Sequence, residues 1–280
     1  MTSLPIHVTL LVLLAALLHA SWNAIVKSSA SKLLDTVTLS IAAGLICLLL
    51  LPLLPLPGRA SWPWLLASVI LHVFYFLALA GAYRWGDLSH AYPLMRGTAP
   101  LLVALIGVFM LDDRLTSGMW AGIALISIGI LVPVFWRPRA VSARATLIAL
   151  GNAAIIASYS LVDGFGARAS GNAVSYCLWI FFLDAFPITL VALAIHRRRV
   201  WEYALQRWKP CTVGGLCTLG SYGIVLWAMT QAPIAAVAAL RETSVIFAAV
   251  IGSALLKEQM GRLRIAGAVL VACGIAALRL

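Results

Sequence analysis

The chain has 280 residues, 63% of them apolar and 10% charged, with a mean hydropathy of +1.02; an average soluble domain is about 45–50% apolar and about 25% charged. A water-exposed surface needs more charge than this, so a soluble globular fold is excluded and the surrounding solvent is mostly lipid. The net charge of +11 does not point to nucleic acid. Its basic residues lie in short connectors between apolar runs, where they set topology and meet anionic head groups, and not on one basic face with motif support.

Crossing the hydrocarbon takes about 20 mainly apolar residues, and these must be helical because lipid cannot satisfy an exposed backbone N–H or C=O. Ten windows qualify. The first, about 6 to 26, has no basic region before it and is followed by Lys27 and Lys32 where a signal peptide would have small residues, so it is read as a retained span. Its His19, Trp22 and Asn23 fall at i, i+3 and i+4 on one face. The second window runs from about 35 to 55 and the third from about 63 to 83, where His72, Tyr75 and Tyr83 either contribute to a cavity lining or, as suffices to explain them, pack. The fourth, about 90 to 111, puts Tyr92, Arg96 and Pro100 on one face. Pro93 and Pro100 are either a helix start and a packing kink or a means of freeing backbone carbonyls where a helix lines water.

The fifth window covers about 116 to 136, and the sixth, about 144 to 163, aligns Asn152, Tyr159 and Asp163. The seventh, about 173 to 195, holds Tyr176, Trp179 and Asp184, and a connector with Arg197, Arg198, Arg199, Arg207 and Lys209 follows. The eighth, about 210 to 230, contains Thr218, Ser221 and Tyr222. In the ninth, about 233 to 256, Arg241, Ser244 and Ala248 share a face beside Glu242; the tenth runs from about 262 to 279. Cys47, Cys177, Cys211, Cys217 and Cys273 lie in apolar stretches without metal-ligand spacing, so they read as packing residues and neither metal nor cofactor is expected.

Assigning connectors alternately puts 14 Lys and Arg on one side, including Lys27, Lys32, Arg84, Arg137, Arg139, Arg262 and Arg264, and only Arg59, Arg114, Arg168 and Arg279 on the other. The positive-inside bias then makes the first side cytoplasmic and both termini extracytoplasmic. The chain also matches itself. Ala20, Ser21 and Trp22 align with Ala157, Ser158 and Tyr159. Arg96 and Thr98 align with Arg241 and Thr243, Asp113 with Glu258, Gly122 with Gly267 and Gly129 with Gly274. Residues 1–140 and 141–280 are therefore expected to be two five-helix repeats. An odd number of spans per repeat inverts the second, as in many secondary transporters with a midplane site between their halves. The expected fold is an all-α membrane protein of ten transmembrane helices in two inverted repeats.

The stretch Tyr83-Arg84-Trp85-Gly86-Asp87-Leu88-Ser89-His90-Ala91-Tyr92-Pro93-Leu94, with Pro100-Leu101, Leu111-Asp112-Asp113-Arg114-Leu115 and Gly122, Ile126 and Gly129, resembles the EamA type of the drug/metabolite transporter superfamily. Ala232, Pro233, Leu255, Leu256, Lys257, Glu258, Gly267 and Gly274 echo it in the second half. Asp112 and Asp113 replace the family's usual Gly-Glu, and Ala239-Leu240 stands where a Pro-Leu would fall. The resemblance implies a ten-helix transporter and names no substrate.

A charge at helix centre costs about 2.5–3.5 kcal/mol on insertion scales, so each one asks for a reason. Arg96 and Arg241, in equivalent helices about 6–8 Å from the midpoints, either face one cavity or snorkel or pair internally, as Arg241 could with Glu242. In a cavity their planar forks suit carboxylate or phosphonate oxygens. Tyr92, Trp22, Asn23, Tyr159, His19 and Tyr222 are the further substrate-binding candidates, the alternative being interface anchoring and interhelical hydrogen bonds. Asp163, Glu242 and Asp184 are the candidates for a coupling proton; the alternative is structural pairing, such as Asp163 with Arg168 near a helix end.

The expected function is secondary active transport, as an exporter, of a small amino-acid-like anion or zwitterion by alternating access. Organic-cation export is the nearest rival, and a lipid-carrier or assembly subunit the third reading. An enzyme is not expected: Asp163 follows Val162 and Asp184 follows Leu183, outside the contexts of intramembrane aspartyl proteases, and no metalloprotease or nucleophile-elbow motif occurs. The expected partners are a small-molecule substrate, the bilayer of an inner (plasma) membrane and protons, without nucleic acid, and a monomer suffices because fused repeats supply both halves of the cavity.

Overall fold

The computed structural model describes residues 4–85, 88–111, 115–135, 142–256 and 261–280. The first half contains α1 (Ile6–Lys27), α2 (Lys32–Leu50), α3 (Trp62–Trp85), α4 (Leu88–Leu111) and α5 (Ser117–Phe135). The second contains α6 (Ala143–Ala169), α7 (Ala173–His196), α8 (Arg198–Gln231), α9 (Ile234–Arg241), α10 (Ser244–Leu256) and α11 (Arg262–Ala277). Two 3-10 turns, Leu51–Leu53 and Arg59–Ser61, join α2 to α3, and there is no strand among the described residues. Nine stretches among them are long and apolar enough to span a membrane, one running through α9 and α10, and α11 is a tenth apolar segment of 16 residues. Leu49, Leu53, Leu66, Leu77, Phe109, Leu190 and Val269 point outward, as they must where the solvent is lipid.

Three expectations need correction. The ninth segment is two helices: at Glu242 and Thr243 the backbone bonds become i to i−3, Glu242 N–H donating to Ala239 O at 3.0 Å and Thr243 N–H to Leu240 O at 3.2 Å. The Thr243 hydroxyl also donates to Leu240 O at 2.7 Å. The supposed connector 197–209 is mostly helix, because α8 begins at Arg198 after Arg197 reverses the chain at φ 49°. Asp35 of α2, fully buried, holds this extension: Tyr203 Oη donates to it at 2.7 Å and Arg207 Nη2 at 3.0 Å. Finally, α6 continues to Ala169, so Asp163 lies well inside it. Cys47, Cys177 and Cys211 are buried as packing residues, whereas Cys273 is exposed. The proposed repeat pair Asp113 and Glu258, together with Gly86, Asp87, Asp112, Arg114, Arg137, Arg139 and Lys257, lies outside the described residues.

The halves are related by a two-fold axis, which the helix contacts express directly. α1 packs along α8 as α6 packs along α3, α4 meets α6 as α9 and α10 meet α1, and α2 meets α7 as α5 meets α11. The α5–α11 seam gives the direction of the axis. A Cβ on Gly122 would lie 2.8 Å from Gly274 O, and one on Gly129 would lie 2.7 Å from Gly267 O. Contacts thus run in opposite senses along the two helices, and each glycine meets the counterpart of the other, the mark of an isologous contact. Equivalent helices packed antiparallel require an axis perpendicular to both, so it lies in the membrane plane and the second repeat is inverted. Glycine is needed here because the backbones touch.

Gly129→Val is expected to destabilise the purified protein by about 1–3 kcal/mol through overpacking. Gly151→Ala, where an added Cβ meets nothing within 4 Å, is expected to leave the melting temperature unchanged. Equal melting temperatures for the two variants in detergent would remove the seam from the account.

Candidate functional site

A cavity of about 1180 Å³ lies between the halves. Its outer lining includes Lys27 and Lys32 around the α1–α2 turn, Trp85 at the end of α3, His90 early in α4, and Arg262 and Arg264 at the start of α11. All are helix ends on one side of the bundle, the side with the excess of Lys and Arg. The other side is closed by the chain between α2 and α3, which lies over the α6–α7 turn. There Gly58 N–H donates to Ser170 O at 2.9 Å, and Ser175 Oγ donates to Pro55 O at 2.7 Å. Trp62 packs on Trp179 with ring centres 5.4 Å apart. Arg168 donates to Met229 O at 2.8 Å and Ala232 O at 3.0 Å, satisfying carbonyls at the C-terminus of α8.

The broken ninth segment shapes the cavity. Before the break α9 packs against α4 and α5 towards the closed side. Beyond it α10 leans on α1, and Val245, Ala248 and Gly252 face the cavity with Leu263 and Gly267 of α11. The break therefore leaves room between α10 and α11.

At the inner end His19, Trp22, Asn23, Tyr92, Arg96, Tyr159, Tyr222 and Arg241 all line this cavity, brought together from α1, α4, α6, α8 and α9. The charges are arranged differently from the simple arginine pair. Arg96 Nε approaches Glu242 Oε2 to 2.6 Å, both side chains being about 95% buried. The contact is a buried ion pair. Glu242 thus serves Arg96 across the interface between α4 and the ninth segment, and the pairing anticipated with its neighbour Arg241 is not the one formed. Arg241, 7% exposed, instead lies over the face of Tyr222, 5.1 Å from the ring centre, and its Nε has no hydrogen-bond acceptor among the described residues.

His19 holds the third corner. Trp22 Nε1 donates to its Nδ1 at 3.3 Å, and Arg96 Nη2 lies 3.4 Å from its Nε2. A neutral imidazole offers one acceptor nitrogen, so the two donors compete for it and one is left available. Two arginines against one carboxylate leave this end of the cavity with a formal surplus of one positive charge.

The opposite wall is acidic. Asp184 lines the cavity with its Oδ2 3.5 Å from His72 Nδ1, and its Oδ1 has no hydrogen-bond partner among the described residues. Asp163 is fully buried behind the wall and accepts from the Tyr222 hydroxyl, not from Arg168. His72 stacks on Tyr159 at 4.6 Å and 27°. Tyr222 therefore touches both ends, with its face under Arg241 and its hydroxyl on Asp163.

Several helical stripes do not survive as cavity walls. Asn152 is fully buried and donates to Met95 Sδ at 2.9 Å, so it packs α6 against α4. Pro100 and Ser244 do not line the cavity; the break between Arg241 and Ser244 removes the helical spacing that aligned them. Pro93 and Pro100 are both inside α4, and neither starts it. His72 is the site residue that sequence reasoning undervalued. It is the one ionisable side chain other than tyrosine between Trp62 and Tyr83, and that isolation was the available signal.

The sequence matches the EamA-like transporter family twice, over residues 8–135 and 143–280. No curated protein sequence matches it. Among 29 matching chains of solved structures, one crystal structure has a TM-score of 0.69 at 18% identity, covering 97% of this chain and 96% of its own; that likeness concerns the fold.

Removing Glu242 alone strands a buried guanidinium, which costs about 3–5 kcal/mol, whereas replacing both partners with apolar groups is close to neutral. Glu242→Leu is accordingly expected to lower the melting temperature of the purified protein sharply, and Arg96→Met combined with Glu242→Leu to recover most of the loss. A double variant no more stable than the single one would mean that the pair is not what holds α4 to the ninth segment.

Proposed function

The chain belongs to the EamA-like transporter family, and from that premise we propose that this membrane transporter of the drug/metabolite type moves a small anionic or zwitterionic metabolite, amino-acid-like in charge, by alternating access. The observation that carries the reading is the guanidinium of Arg241, buried over Tyr222 with no hydrogen-bond acceptor at its Nε among the described residues, in a cavity open on one side. A buried guanidinium with an unmet N–H is unfavourable, and a substrate carboxylate relieves it. Arg96 is a second donor, held by Glu242, and His19 leaves one further N–H unserved. Trp22, Asn23, Tyr92 and Tyr159 supply the aromatic and amide wall.

Alternating access follows from the inversion. Gly97 and Thr98 of α4 are the repeat counterparts of Glu242 and Thr243, yet α4 runs through them as helix. Pro100 has no N–H to offer the Arg96 carbonyl, so α4 is weakened at the equivalent place. In the opposite state α4 bends there, the ninth segment straightens, and the cavity opens on the far side. With the basic side in the cytoplasm, the present arrangement is the inward-facing state and both termini lie outside. Two five-helix units, 1–140 and 141–280, are the bodies that exchange roles. A single chain provides the whole path.

Ligand-dependent stabilisation of the purified protein tests the substrate class against a panel of amino acids, organic acids, phosphonates and organic cations. Anions or zwitterions are expected to raise the melting temperature, and Arg241→Gln to abolish the effect. Stabilisation by cations alone, lost in Asp184→Asn, would replace this reading with organic-cation export. For the orientation, a cysteine at Ala248 in a cysteine-free background is expected to react with an impermeant maleimide from the cytoplasmic face. Reaction only from outside would reverse the assignment.

A further inference from the structure

Asp184 has no basic side chain against it except His72, and that contact balances its charge only when the imidazole carries two protons. The ring's geometry says where the second proton goes. His72 Nδ1 lies 3.0 Å from the Ser68 carbonyl oxygen, which can only accept, so Nδ1 bears the hydrogen of the neutral ring and Nε2 is its basic atom. The Ser68 hydroxyl, 3.2 Å from the same nitrogen, and the stacked Tyr159 ring hold the imidazole in place. Asp184 and His72 both face the cavity, with side chains 16% and 14% exposed, so protons reach them through the path the substrate takes.

From these observations we propose that His72 and Asp184 form a proton-binding site through which the transport inferred above is coupled to a proton gradient. The step is a single protonation: an N–H bond forms at Nε2 from a proton of the open side, the pair becomes imidazolium and carboxylate, and the same bond breaks when the cavity faces the other side. Nothing is oxidised or reduced. The groups around the pair are Tyr75 from α3 itself, Asp163 and Tyr159 from α6, and Tyr222 from α8, with Tyr176 of α7 within electrostatic range of Asp163 and Asp184; Arg241 of α9 lies beyond Tyr222, and Tyr92 and Arg96 of α4 line the same cavity. Asp35 of α2 is already engaged by Arg207 and Tyr203.

Tyr222 is the link to the substrate end. Its ring centre is 6.4 Å from that of His72, its hydroxyl donates to Asp163, and its face carries Arg241. Adding a positive charge at His72 therefore raises the electrostatic cost of the unbalanced guanidinium across one ring, and a bound carboxylate offsets it. Proton and substrate anion favour each other in the cavity, so the coupling is symport, and where the outside is the more acidic it drives uptake in place of the export expected from the sequence.

The inference rests on the transporter reading, and two measurements separate their failures. Protein labelled with ¹⁵N-histidine in nanodiscs is titrated between about pH 5 and 9, the His72 signals being assigned by their loss in His72→Gln. Nδ1 is expected to carry a proton in every form of the ring, Nε2 to be the atom that exchanges one, and Asp184→Asn to lower the imidazolium fraction. In proteoliposomes, an imposed pH difference is expected to drive accumulation of a ¹⁴C-labelled mixture of L-amino acids. The ratio of that accumulation to exchange at equal pH is expected to fall about tenfold in Asp184→Asn and His72→Gln. A His72 titration indifferent to Asp184→Asn, or an unchanged ratio in both variants, overturns the proposal. Intact titration without amino-acid movement by the wild type overturns the substrate reading and leaves the proton site standing.

Discussion

The close approach of α5 and α11 is the contact on which the rest of the molecule depends. In lipid no hydrophobic force draws helices together, so association relies on tight packing, and glycines allow the tightest. Gly122 on Gly274 and Gly129 on Gly267 bring two backbones together with no side chain between them. Because each glycine meets the counterpart of the other, the contact is its own image under a two-fold rotation. The antiparallel sense puts that axis in the membrane, and from it follow the inverted halves, the crossed packing of α1 on α8 and α6 on α3, and a cavity bounded by both repeats.

The chain departs from this symmetry in the fourth and ninth segments. The ninth segment is bent at Glu242 and Thr243 while α4 is straight at Gly97 and Thr98. Glu242 is also the carboxylate that meets Arg96 across the interface. The bend and the ion pair are therefore one event: turning the backbone at Glu242 places its side chain on the partner helix. This leaves Arg241, the residue before the bend, without a carboxylate and resting on Tyr222. The tyrosine in turn divides the cavity into a cationic end and an acidic end.

Much of this was legible in the order of residues. Apolar runs of membrane-spanning length, the basic bias of alternate connectors and the repeat pairing Arg96 with Arg241 are local or periodic properties, and they carried the fold; helical spacing named eight of the many residues that line the cavity. The boundary of α8 was not legible, because Arg198 to Lys209 looks like a polar connector until Asp35, far away in sequence, provides a buried partner for Arg207 and Tyr203. Nor was the break in the ninth segment, between α9 and α10: no proline or glycine marks it, and its repeat counterpart α4, which carries two prolines, is the continuous one.

By itself, then, the sequence determined what a bilayer demands of any chain: helical spans, their number to within the short α11, their repeat, and the few polar residues too costly to bury without a reason. Partnership was decided only in three dimensions. Glu242 pairs with Arg96 and not with adjacent Arg241, Asp163 accepts from Tyr222 and not from Arg168, and His72 moves from a packing residue to the neighbour of Asp184. The physical reason is the range of the forces involved. Transfer into lipid is a sum over each segment's own residues, whereas ion pairing and hydrogen bonding act over a few ångströms and depend on which helices the two-fold packing brings face to face.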